Sequence, residues 1–494
     1  MDDSFDETEV REDFVRQLES QRRELRSLHR QLRVYQQLDD DAASVKMSYP
    51  ADHPYGYVVA VCAFISQFFV LGSINTYSVF NSSMMGDKEW GAPGYTKVAT
   101  VVAVANFLST LVGAVVGHIS DIHGPKPLFV MAGLFLFIGE YFGSQTSNFW
   151  EFALLYSLMV GTSAGFIISP GMGAVSGWFD KKRGLAIGIA SAGSGAGSAT
   201  IPVFASAVYK WCNNDWRPSF VWISLLAAPV TFVGFVVRHR VKAKRFNTAQ
   251  RSAKQLIRSR PFTTLWIVGV FFGYGFFTAV YNFVPYAIAQ GKGPYIHYPR
   301  IPIEQATSLM TVFGLMQCVG NVVCGIITDR YGSGGVFAVS HVISGLLLVG
   351  LPYVHSYVWL LVLCGGFGFT AAGCITCYPH IAAGFYTGPQ LSSALALLYT
   401  GFGLGGLLGP PLTEELITLF GEDFRVGLGV AGGSFIVAAF LGLLFMPTPF
   451  ENKVSPLLGR SGSYPSIQST ASVEEAPIND AQHGERPIFS GTPD

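Results

Sequence analysis

Between residues 57 and 446 the chain is a succession of apolar runs, each about twenty residues long, separated by short polar breaks. A helix needs a run of that length to cross a bilayer core of ~30 Å. Lipid offers backbone amides no water to bond, so only helices and closed barrels can span it. Barrel strands would alternate apolar and polar residues, whereas these runs are continuously apolar. Twelve helical spans are expected: 57–80, 98–118, 127–145, 150–175, 184–209, 217–237, 262–289, 305–328, 336–354, 357–379, 391–412 and 425–446. The charged fraction agrees, at 13% of 494 residues against about 25% in soluble domains.

The chain repeats itself at one fixed offset of 208 residues. Gly117, Asp121 and Gly124 match Gly325, Asp329 and Gly332, and Ala164-Gly165 matches Ala372-Gly373. Gly193, Gly195, Gly197 and Pro202 match Gly401, Gly403, Gly405 and Pro410. One offset serving three segments implies two six-helix halves, 57–237 and 262–446. A basic linker at 238–261 joins them, with tails at 1–56 and 447–494. Six is even, so corresponding helices run the same way through the membrane. Such parallel repeats place a solute site near mid-membrane between halves that rock about it.

If both tails share one side, 25 of the 32 Lys and Arg lie there, nine of them in residues 238–260. Positive charge stays on the cytosolic face, so both termini are expected in the cytosol. The plasma membrane is the default site. An Asn81-Ser82-Ser83 sequon falls on the other side. The first 50 residues lack the apolar core of a secretory signal. Net charge is zero, which gives nucleic acid nothing to recognise. Cys374-Ile375-Thr376-Cys377 has the spacing of a redox or metal pair, but inside a span packing is the better reading. No metal or cofactor is expected, and no nucleophile–base pair points to an enzyme.

The Gly-x-x-x-Asp-x-x-Gly pattern is expected in cytosolic loops after the second and eighth spans. Its glycines permit a tight turn and close helix approach. Its aspartate suits the positive N-terminal end of a neighbouring helix. Gly117, Asp121, Gly124 and Lys126, with Gly325, Asp329, Arg330 and Gly332, are therefore candidate gating residues.

On those residues the chain resembles the major facilitator superfamily: "GHISDIHGPK" is similar to its second-to-third-helix motif and "GIITDRYG" to the second copy. "WFDKKRGLAIGIASAGSGAG" (178–197), "DHPYGYVV" (52–59), "DWR" (215–217) and "LGPPL" (408–412) resemble the monocarboxylate porter family. The resemblance implies a carrier working by alternating access. In the lactate and pyruvate porters of that family an Asp and an Arg in the eighth helix and a Lys in the first bind the carboxylate and couple it to a proton. Here Gln317 and Asn321 stand at those eighth-helix positions, and the first span holds Asn75 and Ser73 but no lysine. A carboxylate in a low-dielectric cavity needs a cation or several donors. Either neutral donors and helix N-termini hold the anion, or the substrate is uncharged.

Candidate solute-binding residues are Asn75, Asn106, Tyr281, Asn282, Gln317, Asn321 and Tyr399, polar groups at mid-membrane depth. Intramembrane ionisable groups are functional hypotheses by default. Glu140, toward the outer end of the third span, is the candidate for proton coupling; His341 is read as structural and His118 as adjoining the gate. Residues 14–35 space Phe14, Leu18, Leu25, Leu28, Leu32 and Tyr35 as a heptad seam. That amphipathic helix suits self-association, a partner or the inner leaflet. The Ser/Pro-rich C-terminal tail reads as disordered. The expected activity is secondary transport, as symporter or uniporter, of a small organic solute, a monocarboxylate first. A neutral or bulkier metabolite and a non-transporting solute sensor are the alternatives.

Overall fold

The computed structural model describes residues 46–47, 49–50, 52–91, 95–238, 241–242, 260–290, 293–295, 297, 299–386 and 391–445. The heptad segment, most of the basic linker and the C-terminal tail lie outside them. In chain order the helices are α1 (Tyr55–Met85), α2 (Tyr95–His123), α3 (Lys126–Gly143), α4 (Phe149–Trp178), α5 (Arg183–Trp211), α6 (Trp216–Ser224) and α7 (Ala227–Val236). They continue as α8 (Arg260–Ala289), α9 (Ile303–Tyr331), α10 (Ser333–Gly350), α11 (Tyr357–Phe385), α12 (Leu391–Leu419) and α13 (Phe424–Phe445). A two-residue antiparallel ladder pairs Lys46–Met47 with Val241–Lys242.

Helices α6 and α7 share one crossing, Trp216–Val236. The break falls at Leu225 and Leu226, whose amides bond three residues back. Pro229 explains it, since its ring would clash with the Leu225 carbonyl four residues earlier. Eleven crossings among the described residues are long and apolar enough to span a bilayer. The twelfth expected span, α5, has the length, 29 residues, but its Gly, Ser and Ala content lowers its hydropathy. Packing on both sides compensates. A Cβ on Gly193 or Gly197 would meet the Phe64 or Phe68 carbonyl of α1 at 2.1 Å. On the opposite flank, a Cβ on Gly188 would meet the Asn321 carbonyl of α9 at 2.3 Å. Backbones this close leave no room for any side chain.

The two halves meet through α5 against α9 and α2 against α12. Gly117 and Gly325 make those approaches possible: a Cβ would stand 2.6 Å from the Ser392 carbonyl and 2.5 Å from the Gly184 carbonyl respectively. Helices α3 and α7, and α10 and α13, pack at the periphery. Their outward faces carry exposed Phe232, Phe235, Leu346 and Phe440, as a lipid-facing surface requires.

The repeat extends to the start of the last crossing in each half, where Asp215-Trp216-Arg217 matches Asp423-Phe424-Arg425. Arg217 bonds Asp87 at 3.2 Å and Glu89 at 2.8 Å, and donates to the Thr146 carbonyl at 2.6 Å. In the other half the Tyr295 hydroxyl donates to Asp423 at 2.9 Å, with Arg425 over the Tyr295 and Tyr353 rings. The Asn81 sequon lies within the last turns of α1, on helical backbone rather than in a loop.

Candidate functional site

A cavity with an empty volume of about 1330 Å³, part of it open to solvent, lies between the halves. Its walls differ in chemistry. The first half contributes the amides and hydroxyls Gln67, Asn75, Asn106, Ser109, Thr110, Ser169, Ser191, Ser194 and Ser198, interleaved with Leu71, Ile74, Ile168 and Met172. The second is mainly aromatic, with Phe272, Phe276, Phe277, Phe313, Phe402, Tyr281, Tyr378 and Tyr399, and adds one amide, Gln317. Among the described residues lining it, none is Asp, Glu, Lys, Arg or His.

The structure brings Asn75, Asn106, Tyr281, Gln317 and Tyr399 to this wall. Asn75 Nδ2 donates to Ser198 Oγ at 2.7 Å, joining α1 to α5. Asn106 Nδ2 donates to the Tyr281 hydroxyl at 3.1 Å, which ties α2 to α8 across the halves. Two candidates lie elsewhere. Asn282 donates to the Thr278 carbonyl of its own helix at 2.9 Å. Asn321 is fully buried behind Gln317, where its Nδ2 donates to the Gln317 carbonyl at 2.9 Å and its Oδ1 accepts from Thr376 Oγ1 at 2.9 Å. Sequence reasoning passed over Gln67 and Ser169. Both are buried, and Gln67 Nε2 and Ser169 Oγ make no hydrogen bond within the described protein. The signal for Gln67 was present, an amide in the middle of an apolar span.

Closer to one end of the bundle stand two aspartates. The expected loops are helical up to their last glycine: Asp121 sits in the final turn of α2 and Asp329 in that of α9. Only Gly124 (φ 81°) and Gly332 (φ 88°) turn the chain, in the left-handed region that favours glycine. Asp121 accepts from the backbone amides of Ser392 at 3.1 Å and Ser393 at 2.9 Å, and from the Ser393 hydroxyl. Asp329 accepts from the amides of Gly184 at 2.6 Å and Leu185 at 2.8 Å. Each carboxylate thus caps the N-terminus of a helix in the other half, α12 or α5, where unpaired amides and the helix dipole favour an anion.

The two contacts are related by the repeat but not identical. Arg183 lies beside the Asp329 contact, and its Nη1 donates to the Ala383 carbonyl of the other half at 3.3 Å. His380 Nε2 stands 4.0 Å from Asp329; Leu391 occupies the position matching Arg183. Lys126 and Arg330 are exposed and outside both contacts, near the rings of Phe235 and Tyr331. His118 is exposed. His341 is fully buried among Phe272, Phe337 and Phe435, with Nδ1 2.9 Å from the Phe337 carbonyl. Glu140 lies on α3, away from the cavity lining, at 2% exposure. Among the described residues no group of three or more His, Cys, Asp or Glu converges as a metal site would require.

The Major Facilitator Superfamily matches the chain over residues 63–296 and 285–478. A riboflavin transporter of Trypanosoma cruzi is 26% identical over 419 residues, covering 74% of this chain and 88% of that protein. Monocarboxylate transporter 13 of Bos taurus is 25% identical over 413 residues, covering 81% and 91%. The solved structure of a human organic anion transporter superposes with a TM-score of 0.63 at 15% identity, covering 79% of this chain and all of that one. Two packed halves around a central cavity, with the superfamily's motif at the start of each interdomain contact, agree with these matches: the chain belongs to the Major Facilitator Superfamily, as a multi-pass membrane transporter with monocarboxylate-transporter-like relatives.

Proposed function

We propose that this transporter carries an uncharged, ring-bearing organic solute by alternating access. The observation behind it is the absence of any charged side chain among the described residues lining the cavity. An anion desolvated there would be stabilised by amide and hydroxyl donors alone, and unpaired burial costs several kcal/mol. A flat solute with a polar rim fits both walls. Its ring packs on Phe276, Phe277 and Phe402, while Gln67, Asn75 and Gln317 address the rim. The riboflavin transporters of two trypanosomes among the relatives support this class.

The second reading is a monocarboxylate, favoured by the fifth-span motif and by the mammalian monocarboxylate transporter relatives. It requires the orphan amide of Gln67, with Asn75 and Gln317, to replace a cation. Asp121 and Asp329 act in either case as latches that close the cytosolic end and break when it opens, with both termini on that side. Uptake of labelled riboflavin and of labelled lactate into proteoliposomes separates the readings. Saturable riboflavin uptake that excess lactate leaves unchanged is expected. Lactate uptake without riboflavin uptake would overturn the first reading in favour of the second.

A further inference from the structure

Glu140 is a carboxyl group in the middle of packed helices with no cation beside it. Its Oε2 is buried and completes no hydrogen bond. Its polar neighbour is Ser73 of α1, whose Oγ is likewise buried without a hydrogen bond. The hydroxyl of Tyr156 on α4, 1% exposed, is a third orphan. Tyr156 lies within electrostatic range of both Glu140 and the cavity residue Tyr281, and its ring is 5.2 Å from that of Tyr77. Three buried polar groups from three helices therefore lie near one another, Ser73 beside the Glu140 carboxyl and Tyr156 within electrostatic reach of both Glu140 and a cavity residue.

The helices packed against α3 are α4, α7, α6, α2 and α1. From α4 comes Tyr156, with Glu151 exposed in the first turn; from α1 come Ser73 and Tyr77, with Tyr55, Tyr57 and Cys62 nearer the other end. Helix α7 has no titratable residue, and Arg217 of α6 is held by Asp87 and Glu89. Helix α2 keeps Lys97 near one end and His118, Asp121 and His123 near the other. No positive charge is thus available to an ionised Glu140, and isolated ionised carboxylates in such surroundings take up a proton instead. Intramembrane carboxyls of this kind mark proton relays.

We infer that Glu140 is the proton-binding site of this carrier, loaded when the two latches are closed and emptied through Tyr156 toward the cavity when the halves rearrange. The inference rests on the transport reading but not on the choice of solute. When the halves rearrange and bring the Tyr156 hydroxyl within hydrogen-bond reach of Glu140, the acid passes its proton to Tyr156 as Tyr156 releases its own toward the cavity, and Glu140 is reloaded by the reverse transfers before the latches close. Transport is then coupled to one proton per cycle through a residue of the first half.

Two measurements on the full-length protein in liposomes need no substrate. Infrared difference spectra of wild type and Glu140→Gln at neutral pH are expected to show one protonated carboxylic-acid band that the variant lacks. Glu414→Gln, at an exposed carboxylate, keeps the band. Spin labels at Lys181→Cys and Gly384→Cys, both exposed and in different halves, report opening at the latch end by their distance distribution. One linked proton changes the closed-to-open ratio about tenfold per pH unit; Glu140→Gln removes that contribution and leaves only what protonation of the latch carboxylates Asp121 and Asp329 adds. Tyr156→Phe keeps the ring and the band but slows proton exchange. A band absent from wild type, or a pH dependence that Glu140→Gln leaves unchanged, overturns the inference. Failure of labelled riboflavin to enter the same liposomes would count against the proposed solute alone.

Discussion

The interdomain latches allow a quantitative test. Asp329→Asn keeps the shape of the side chain and removes its charge. The carboxylate accepts two backbone amides, at 2.6 and 2.8 Å. The carboxamide can accept one and must turn its own donor toward the other. Hydrogen bonds to charged groups contribute about 1.5–3 kcal/mol each. Asp329 retains 16% side-chain exposure, so solvent recovers part of the loss, and about 2 kcal/mol is the expected effect. That multiplies the open-to-closed ratio by roughly 30. Asp121→Asn, which also loses the Ser393 hydroxyl contact, shifts it at least as far. The two contacts share no partner, so their effects add, and the double variant shifts the ratio on the order of a thousandfold. The Lys181/Gly384 spin-label pair reads this directly as a longer-distance population. If the double variant keeps the wild-type distribution, the carboxylates do not hold the halves together and the latch reasoning is refuted.

Other consequences are more local. Gln317→Ala is expected to raise the KM for the transported solute without lowering thermal stability, whereas Asn321→Ala leaves Thr376 Oγ1 and the Ser191 carbonyl underbonded and lowers stability by about 1–3 kcal/mol. Calorimetry beside uptake kinetics separates them. Gly197→Ala forces a Cβ to 2.1 Å from the Phe68 carbonyl and is expected to cost about 1–3 kcal/mol, while Gly433→Ala, with open space around it, is neutral or stabilising in the same melting assay. His355 is held below the ordinary histidine range by burial and by the Arg425 charge. Its neutral form is the one the fold accepts, so its contribution is complete above ~6.5 and is lost as pH falls through the folded pKa. An NMR titration of labelled His355 with a midpoint at or above ~6.5 would contradict this.

Much of this was legible in the sequence, and unevenly so. Apolar run lengths and the 208-residue offset give the helices and the two halves, because membrane spanning imposes length and duplication preserves spacing. Asp121 and Asp329 stood out as repeated charges in an apolar chain. Their partners did not, because Ser392, Ser393, Gly184 and Leu185 offer backbone amides that carry no residue signature. Gln317 and Asn321 share a helix face by spacing, but α9 is wedged between α5 and α11, so the face that is open at Gln317 is closed one turn later. Gln67 belongs to no motif; only the fold shows that its amide meets the cavity without a partner.

The glycine-lined helix α5 also has a consequence for synthesis. Its partner α1 precedes it in the chain, but α9 follows about 130 residues later. At ~5–20 residues per second, the flank carrying Gly184, Gly188 and Gly195 waits on the order of ten seconds before the helix that fits it is made. During that interval a membrane insertase or lipid must shelter a row of bare backbone on a crossing too polar to commit itself. A nascent chain truncated before residue 303 never receives that cover, so α5 depends on the second half to bury its glycine flank.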